Sequence, residues 1–451
     1  MVANRSVSNV ETFEYSSSDI VYSPEVVQEV GVQIELVTSN SPRPLANYSE
    51  AFKVGHLVFA AGQLASDFVT GVPPEASTNK GFPFYGSEIK QQTRYCLDNL
   101  KSTMAAAGSS MDNVVKAQVF LTDLRHFSAF DEAWREYFPE GPPARTTLEV
   151  PMLLGAGPAQ LIEIDLIGHT NDVGHEAIKS DAPQPLANYT EAFRVGNLVF
   201  AAGQLASDFK TGVPPEAKTR SNFPYYGSNI KLQTRYILEN FKRTLAAAGS
   251  SLANAVKAQV FLTDLHNFNG FDEVWKEYFP ENPPPRTTVG VAGLLGAGPD
   301  QLIEIDLIAH TDDTSHTVVR SKGPKPIANY SEAFVVDGLV FAAGQIASDY
   351  EIGVPPEARI NRGFPFYGSE IKQQTRFILK NLRGTFEAAG SSLGSVVKAQ
   401  VFMTELGDFN AFDEVWKEHF TGAPPARTTV ATTGLLVVDT LVEVDLIGAV
   451  D

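Results

Sequence analysis

The sequence predicts an α+β fold built three times over in one chain, and two observations carry that prediction. The first is repetition. The segment "LANYSEAF" at Leu45 returns as "LANYTEAF" at Leu186 and "IANYSEAF" at Ile327, a step of 141 residues each time (186 − 45 and 327 − 186). Trp134, Trp275 and Trp416 keep the same step. A period this long matches a whole small domain rather than a solenoid repeat. The second is the change of hydrophobic period inside each copy, from the alternation of strands to the spacing of helices and back. Together they place three units at about 32–170, 171–311 and 312–451, behind a leader, residues 1–31, that has no counterpart in the other units. The leader is Ser- and Val-rich without clear periodicity and is expected to be partly disordered or to pack on the surface.

Within the first unit, "EAFKV" and "GHLVFAAGQ" read as two strands joined by a hairpin at Val54-Gly55-His56. From Ser87, a candidate N-cap, the residues Ile89, Thr93, Leu97, Leu100 and Met104 keep helical spacing up to Gly108, a candidate C′ glycine. That predicts a helix of about five turns. "VVKAQVFLTDL" (Val114 to Leu124) alternates as a strand does, and Phe127, Phe130, Trp134 and Phe138 mark a second helix. The Arg145 segment and "QLIEIDLIG" (Gln160 to Gly168) supply two last strands. The order is β-β-α-β-α-β-β, with both helices on one face of one sheet. Strands such as "LVFAAG" and "LIEIDLI" are apolar on both faces, so the second face needs cover as well; three units closing on a pseudo-threefold axis supply it.

Composition narrows the function classes. The chain has 451 residues, 43% of them hydrophobic and 20% charged, as in a soluble globular protein. Acidic residues outnumber basic ones by 53 to 35, and a net charge of −18 argues against nucleic acid or an anionic membrane as partner. Cys96 is the single cysteine, which excludes an internal disulfide. With no spanning-length apolar run and no signal-peptide pattern, the expected location is the cytoplasm. No metal-ligand spacing or phosphate-cradling glycine loop is present, so no cofactor is expected.

Residues suited to chemistry recur at the repeat step. Arg145, Arg286 and Arg427 stand in "PPARTT", "PPPRTT" and "PPARTT", at the entrance to an apolar strand. A planar guanidinium there suits either a bidentate clamp on a ligand carboxylate or a salt bridge between units. Glu163, Glu304 and Glu443 lie inside apolar strands, where a carboxylate needs a partner or a raised pKa. Asp165, Asp306 and Asp445, two residues on, share that strand face, and one member of each pair is expected to be structural. Tyr48, Tyr189 and Tyr330 read as packed tyrosines or ligand contacts. Gly62, Gly203 and Gly344 in the "AAGQ" turn suit a tight turn, a bulge or close approach of a small ligand. The loops "GFPFYGS", "NFPYYGS" and "GFPFYGS" before the first helix of each unit suit a lid, an interface or an apolar pocket wall. His169 and His310 match each other but have no equivalent in the third unit.

Taken in order, "NYSEAFKVGHLVFAAGQLASD", the "QQTRYCLDNL…" helix, "PPARTT" and "LIEIDLI" resemble the RidA/YjgF family of enamine and imine deaminases, over about nine-tenths of the chain. The resemblance implies chorismate-mutase-like α+β subunits that assemble as trimers with ligand sites between subunits, here fused into a single-chain pseudo-trimer expected to be monomeric. It implies that Arg145, Arg286 and Arg427 hold the carboxylate of a small 2-imino or 2-enamino acid. Glu163, Glu304 and Glu443 would orient or activate water, with Tyr48, Tyr189, Tyr330, Gly62, Gly203 and Gly344 completing three sites, each shared by two units. The implied reaction is hydrolysis at the C=N or enamine carbon with release of ammonia. Hydrolysis of an amide or ring C–N bond in a larger aromatic acid, and non-catalytic binding of a small carboxylate or a protein, are the alternatives. The family's "SGQ" serine is Ala61, Ala202 and Ala343 here, and the cysteine common two places after the arginine is Thr147, Thr288 and Thr429.

Overall fold

The computed structural model describes residues 32–82 and 85–451. The predicted leader, and Pro83 and Phe84 of the first aromatic loop, lie outside the described residues. In the first unit the strands are β1 (Ile34–Val37), β2 (Ala51–Val54), β3 (Leu57–Ala60), β4 (Gln63–Leu64), β5 (Val114–Leu121), β6 (Ala144–Glu149) and β7 (Ile162–His169). The helices are α1 (Glu88–Ala106) and α2 (Phe127–Tyr137). The sheet runs β1-β2-β3-β7-β5-β6, with β4 beside β7; β5 and β6 are parallel and the other pairs antiparallel. The second and third units repeat this order around central strands Ile303–His310 and Val442–Ala449.

The predicted elements are present, with local corrections. The hairpin turns where expected, at Gly55 with φ +56°, a left-handed conformation that a glycine adopts without cost. An edge strand, β1, precedes it and was not anticipated, because four residues of mixed polarity carry no alternation long enough to read. Ser87 occupies the N-cap position of α1 but its hydroxyl makes no capping bond, whereas Gly108 follows the C-cap at φ +74°, as predicted. Strand β5 stops at Leu121, three residues early, because the Asp123 carboxylate accepts the Arg125 N–H and starts a 3₁₀ turn. The segment after β6 in the third unit is two residues shorter, and strand register makes Ala431 the counterpart of Glu149: these residues pair with Met403 and Leu121.

Each unit has its own helix-to-sheet core. In the first, Leu97, Leu100 and Met104 of α1 and Phe130 and Trp134 of α2 cover Val119, Ile164 and Leu166 of the sheet. Fully burying a side chain of this size is worth about 2 kcal/mol. The opposite sheet face is covered by the other two units. Phe52, Phe59 and Ile167 share one cluster with Phe193, Phe200 and Ile308 and with Phe334, Phe341 and Ile447.

Beside this apolar cluster runs a buried ionic belt that shows the ring closing. Lys116 meets Asp306 at 2.8 Å, Lys257 meets Asp445 at 2.6 Å, and Lys398 of the third unit returns to Asp165 of the first at 3.0 Å. The amides of Gln118, Gln259 and Gln400 donate to one another in a cycle around the same axis. Asp165, Asp306 and Asp445 are therefore the structural members of the paired carboxylates. No helix among the described residues is long and apolar enough to cross a membrane.

Candidate functional site

Two prolines ahead of Ala144 keep the approach to β6 out of helical conformation. Arg145 is thereby delivered to the second place of the strand, opposite Ala117 of β5. Its side chain is buried, at 3% exposure. Nη2 donates to Asp131 Oδ1 at 2.8 Å, and Cζ lies 5.5, 5.1 and 5.1 Å from the ring centres of Phe127, Phe130 and Trp134, all on α2. Arg286 and Arg427 repeat the pairing with Asp272 at 2.9 Å and Asp413 at 2.8 Å. The salt bridge considered from sequence thus exists, but inside each unit rather than between units. A guanidinium enclosed this way keeps its charge through one carboxylate and several ring faces. Nη1 of Arg145 and of Arg427 has no hydrogen-bond partner among the described residues. Burial of such a donor without a partner is costly, which makes it a ready place for an anionic ligand.

The next unit closes each site. Asn188 Nδ2 reaches across to the Phe138 carbonyl at the end of α2 (3.0 Å), and Asn329 and Asn47 make the same bond to Phe279 (2.9 Å) and Phe420 (3.4 Å). Each asparagine sets the following tyrosine against the neighbouring unit's arginine. The ring centres of Tyr189, Tyr330 and Tyr48 lie 5.7, 5.6 and 5.6 Å from Cζ of Arg145, Arg286 and Arg427. Sequence reasoning missed these asparagines and Asp131, Asp272 and Asp413. The aspartates were legible, since Asp131 falls on the same helix face as Phe127, Phe130 and Trp134.

The glutamates enter from the same unit as the tyrosines. Glu163 sits in β7 opposite Phe120, and its carboxyl lies against Gly62. A Cβ at Gly62 would stand 2.0 Å from Glu163 Oε1; at Gly203 and Gly344 the distance to Glu304 and Glu443 Oε1 would be 2.1 Å. The glycines therefore make room for a carboxyl rather than for a turn, a reading the sequence did not offer. Burial, reinforced by the charge of Asp165, pushes the Glu163 carboxyl up to about 8. Glu443 is pushed to about 8 by burial and Asp445, and Glu304 is raised for the corresponding reasons. Glu163 Oε2 and Glu304 Oε2 are buried without a hydrogen-bond partner among the described residues. Each site thus sets a cation beside a carboxyl that burial pushes above its ordinary range.

Around Arg427, Tyr48, Gly62 and Glu163 the structure opens a cavity of about 440 Å³. Leu64, Phe68, Leu154, Phe409 and Thr429 also line it, and Gly407 and Lys417 lie at its edge. Two of the positions at which the three clefts differ change the character of the side chain most. Gly407 is matched by Arg125 and His266, while Phe68 is matched by Phe209 and Tyr350. The tyrosine brings a hydroxyl that bonds the Tyr330 hydroxyl at 2.9 Å. Among the described residues those of the aromatic loops do not wall this cavity: Tyr85, Tyr225 and Phe366 are 89%, 95% and 95% exposed. His169 and His310 lie away from the clefts, each bonded through Nε2 to the Nδ1 of a linker histidine, His175 (2.7 Å) and His316 (2.9 Å). Among the described residues no group of His, Cys, Asp and Glu is arranged to hold a metal ion.

A family model described as Endoribonuclease L-PSP matches the chain three times, over residues 38–170, 179–311 and 320–450. A RutC family protein of Pyrococcus horikoshii is 40% identical over 132 residues, 29% of this chain and 94% of that protein. The 3-aminoacrylate deaminase RutC of Acinetobacter baylyi is 36% identical over 128 residues, 28% of this chain and 90% of that protein. The chloroplastic Reactive Intermediate Deaminase A of Arabidopsis thaliana is 33% identical over 147 residues, 32% of this chain and 73% of that protein.

Proposed function

This chain belongs to the Endoribonuclease L-PSP family, three copies over, and from that premise we propose that it is a deaminase acting on small 2-imino or 2-enamino acids at the clefts between its units. One observation carries the reading: an arginine with an unpartnered Nη1 stands in the same cleft as a buried, proton-holding glutamate. The relatives named as deaminases support the reaction class. The substrate carboxylate binds at the unpartnered Nη1 of Arg145 or Arg427, next to the ring of Tyr189 or Tyr48, and at Arg286, whose Nη1 makes only a long bond of 3.4 Å to the Asn329 carbonyl, next to the ring of Tyr330. Glu304, Glu443 or Glu163 then delivers its proton to the imine nitrogen, or first to the β-carbon of an enamine. Water adds to the activated carbon as the glutamate takes back one proton. A second transfer to nitrogen lets the C–N bond break while the carbinolamine hydroxyl gives its proton to the glutamate, leaving a 2-oxo acid and ammonia. Substrate and water are consumed in equal amounts, and the glutamate ends protonated as it began.

A raised carboxyl pKa therefore changes the glutamate's first task from base to acid. Orientation on a fixed cation and proton transfer in a dry cleft supply the rate enhancement. The ribonuclease activity in the family description is not adopted, because a net charge of −18 disfavours a phosphate backbone and the three cleft arginines are buried. The amide-hydrolase alternative rested on the aromatic loops, which face solvent. Because the ring of units closes within one chain, the protein is proposed to work as a monomer.

The test is ammonia release from 2-imino acids generated in situ by an amino-acid oxidase, with Arg145→Ala, Arg286→Ala and Arg427→Ala made singly and together. Stepwise loss of acceleration supports the reading. An unchanged rate in the triple variant removes the arginines from it.

A further inference from the structure

The three clefts carry one difference that touches chemistry directly, at the residue following Ser66-Asp67, Ser207-Asp208 and Ser348-Asp349. Phe68, Phe209 and Tyr350 hold the same left-handed backbone, with φ of 58°, 55° and 60°. That conformation is uncommon for an aromatic residue and persists where surrounding bonds over-determine it. Here each backbone N–H is held by the preceding serine hydroxyl, at 3.0 Å for Phe68, 3.0 Å for Phe209 and 2.9 Å for Tyr350. The backbone at this position is thus the same in all three units, and in the first the Phe68 ring lines the 440 Å³ cavity with Tyr48 and Gly62. In the third unit the same position places a hydroxyl beside Tyr330, Gly344 and Gln345.

Two phenol groups 2.9 Å apart share one hydrogen between them. One O–H and the remaining lone pairs are left for a ligand. Tyr330 also lies with its ring 5.6 Å from Arg286 Cζ, and the Glu443 carboxyl acts on both phenols, so this hydroxyl pair belongs to the cleft of Arg286 and Glu443. The other two clefts offer only a phenyl ring at the same place.

We infer that Tyr350 is a specificity-determining residue, and that it tunes the Arg286–Glu443 cleft toward 2-imino acids with a hydrogen-bonding group on the β-carbon, while the clefts lined by Phe68 and Phe209 favour apolar ones. This rests on the proposed deaminase reading and adds a division of labour that a trimer of identical subunits does not have. A hydroxyl that must leave water for an apolar wall loses a hydrogen bond, and one that meets the tyrosine pair regains it.

The experiment uses the full chain with Glu163→Gln and Glu304→Gln, leaving chemistry to the third cleft. The imines of D-serine and D-alanine, produced by a D-amino-acid oxidase, differ by one hydroxyl. The kcat/KM ratio of serine imine to alanine imine is expected to fall about tenfold with Tyr350→Phe, the loss of about one net hydrogen bond. The converse variant, Phe68→Tyr with Glu304→Gln and Glu443→Gln, is expected to raise it. A ratio unmoved by either substitution overturns the inference. Crystals soaked with hydroxypyruvate and with pyruvate give a second readout that needs no turnover. Hydroxypyruvate held at Tyr350 in the wild type and lost in Tyr350→Phe supports the inference even if no imine is hydrolysed, in which case only the deaminase reading fails. Equal occupancy of both oxo acids in all three clefts overturns it.

Discussion

Gly62→Ala tests whether the glycines exist to seat the glutamates. The added Cβ stands 2.0 Å from Glu163 Oε1, 2.9 Å from its Cδ and 3.0 Å from Thr428 Cγ2. Ordinary contact begins at 3.4 Å, so the carboxyl has to retreat by about 1.4 Å. It has little room for this. Thr428 is itself bonded to Asp165 at 2.8 Å, and β7 is locked between β5 and β3. Overpacking of this kind costs about 1–3 kcal/mol of stability. A 1 Å misplacement of a reacting group costs about 100-fold in rate. The assay is imine hydrolysis in the background Glu304→Gln and Glu443→Gln, where only the Glu163 cleft reports, with a urea titration alongside. The expected result is a fall in kcat of about 100-fold in a protein that still unfolds cooperatively. A rate within twofold of the parent would refute the claim that a carboxyl held against Gly62 does the work.

Three further outcomes follow from other parts of the molecule. Gly384 lies inside the third unit's long helix, Glu370–Ala388, with open space where a Cβ would go, so Gly384→Ala is expected to raise stability by about 1 kcal/mol in a urea titration and leave turnover unchanged. Lys257→Met strips the cation from buried Asp445 and is expected to cost about 3–5 kcal/mol, with much of the loss recovered by adding Asp445→Asn. The raised carboxyls of Glu163 and Glu443 make stability pH-dependent with a definite sign. The folded chain keeps these protons up to about 8, while the unfolded chain releases them near the ordinary glutamate value of 4.5, so their contribution is full below 4.5 and falls as pH rises toward 8. The urea midpoint is expected to be lower at pH 8 than at pH 5.5, Glu163→Gln with Glu443→Gln should flatten that slope, and kcat should decline as pH passes through about 8.

Much of this architecture was readable because each unit's pattern is written three times. Apolar spacing from Ile89 to Met104 and from Phe127 to Phe138 announced helices, and two-faced apolar strands announced burial on both sides of the sheet. The arginines, tyrosines, glycines and glutamates stood out as polar or special residues in segments that otherwise repeat apolar ones. What escaped notice depends on contacts between distant segments. Nothing local says that Asn188 reaches the end of α2, or that Gly62 faces a carboxyl about a hundred residues away. Asp131 was overlooked because a carboxylate on a helix reads as solvated until Arg145 is found above it. The aromatic loops, conspicuous in composition, leave Tyr85, Tyr225 and Phe366 exposed. Tyr350 passed as one more aromatic residue until its hydroxyl was seen against that of Tyr330.

The most direct test of the central claim replaces the three buried glutamates together, Glu163→Gln, Glu304→Gln and Glu443→Gln. Glutamine matches the shape of the protonated acid, so folding and binding of a 2-oxo acid at the arginines should persist. Ammonia release from 2-imino acids should then fall to the rate of the uncatalysed reaction. A triple variant that hydrolyses imines as fast as the wild type would contradict the account, because the glutamates would then not be the source of the proton.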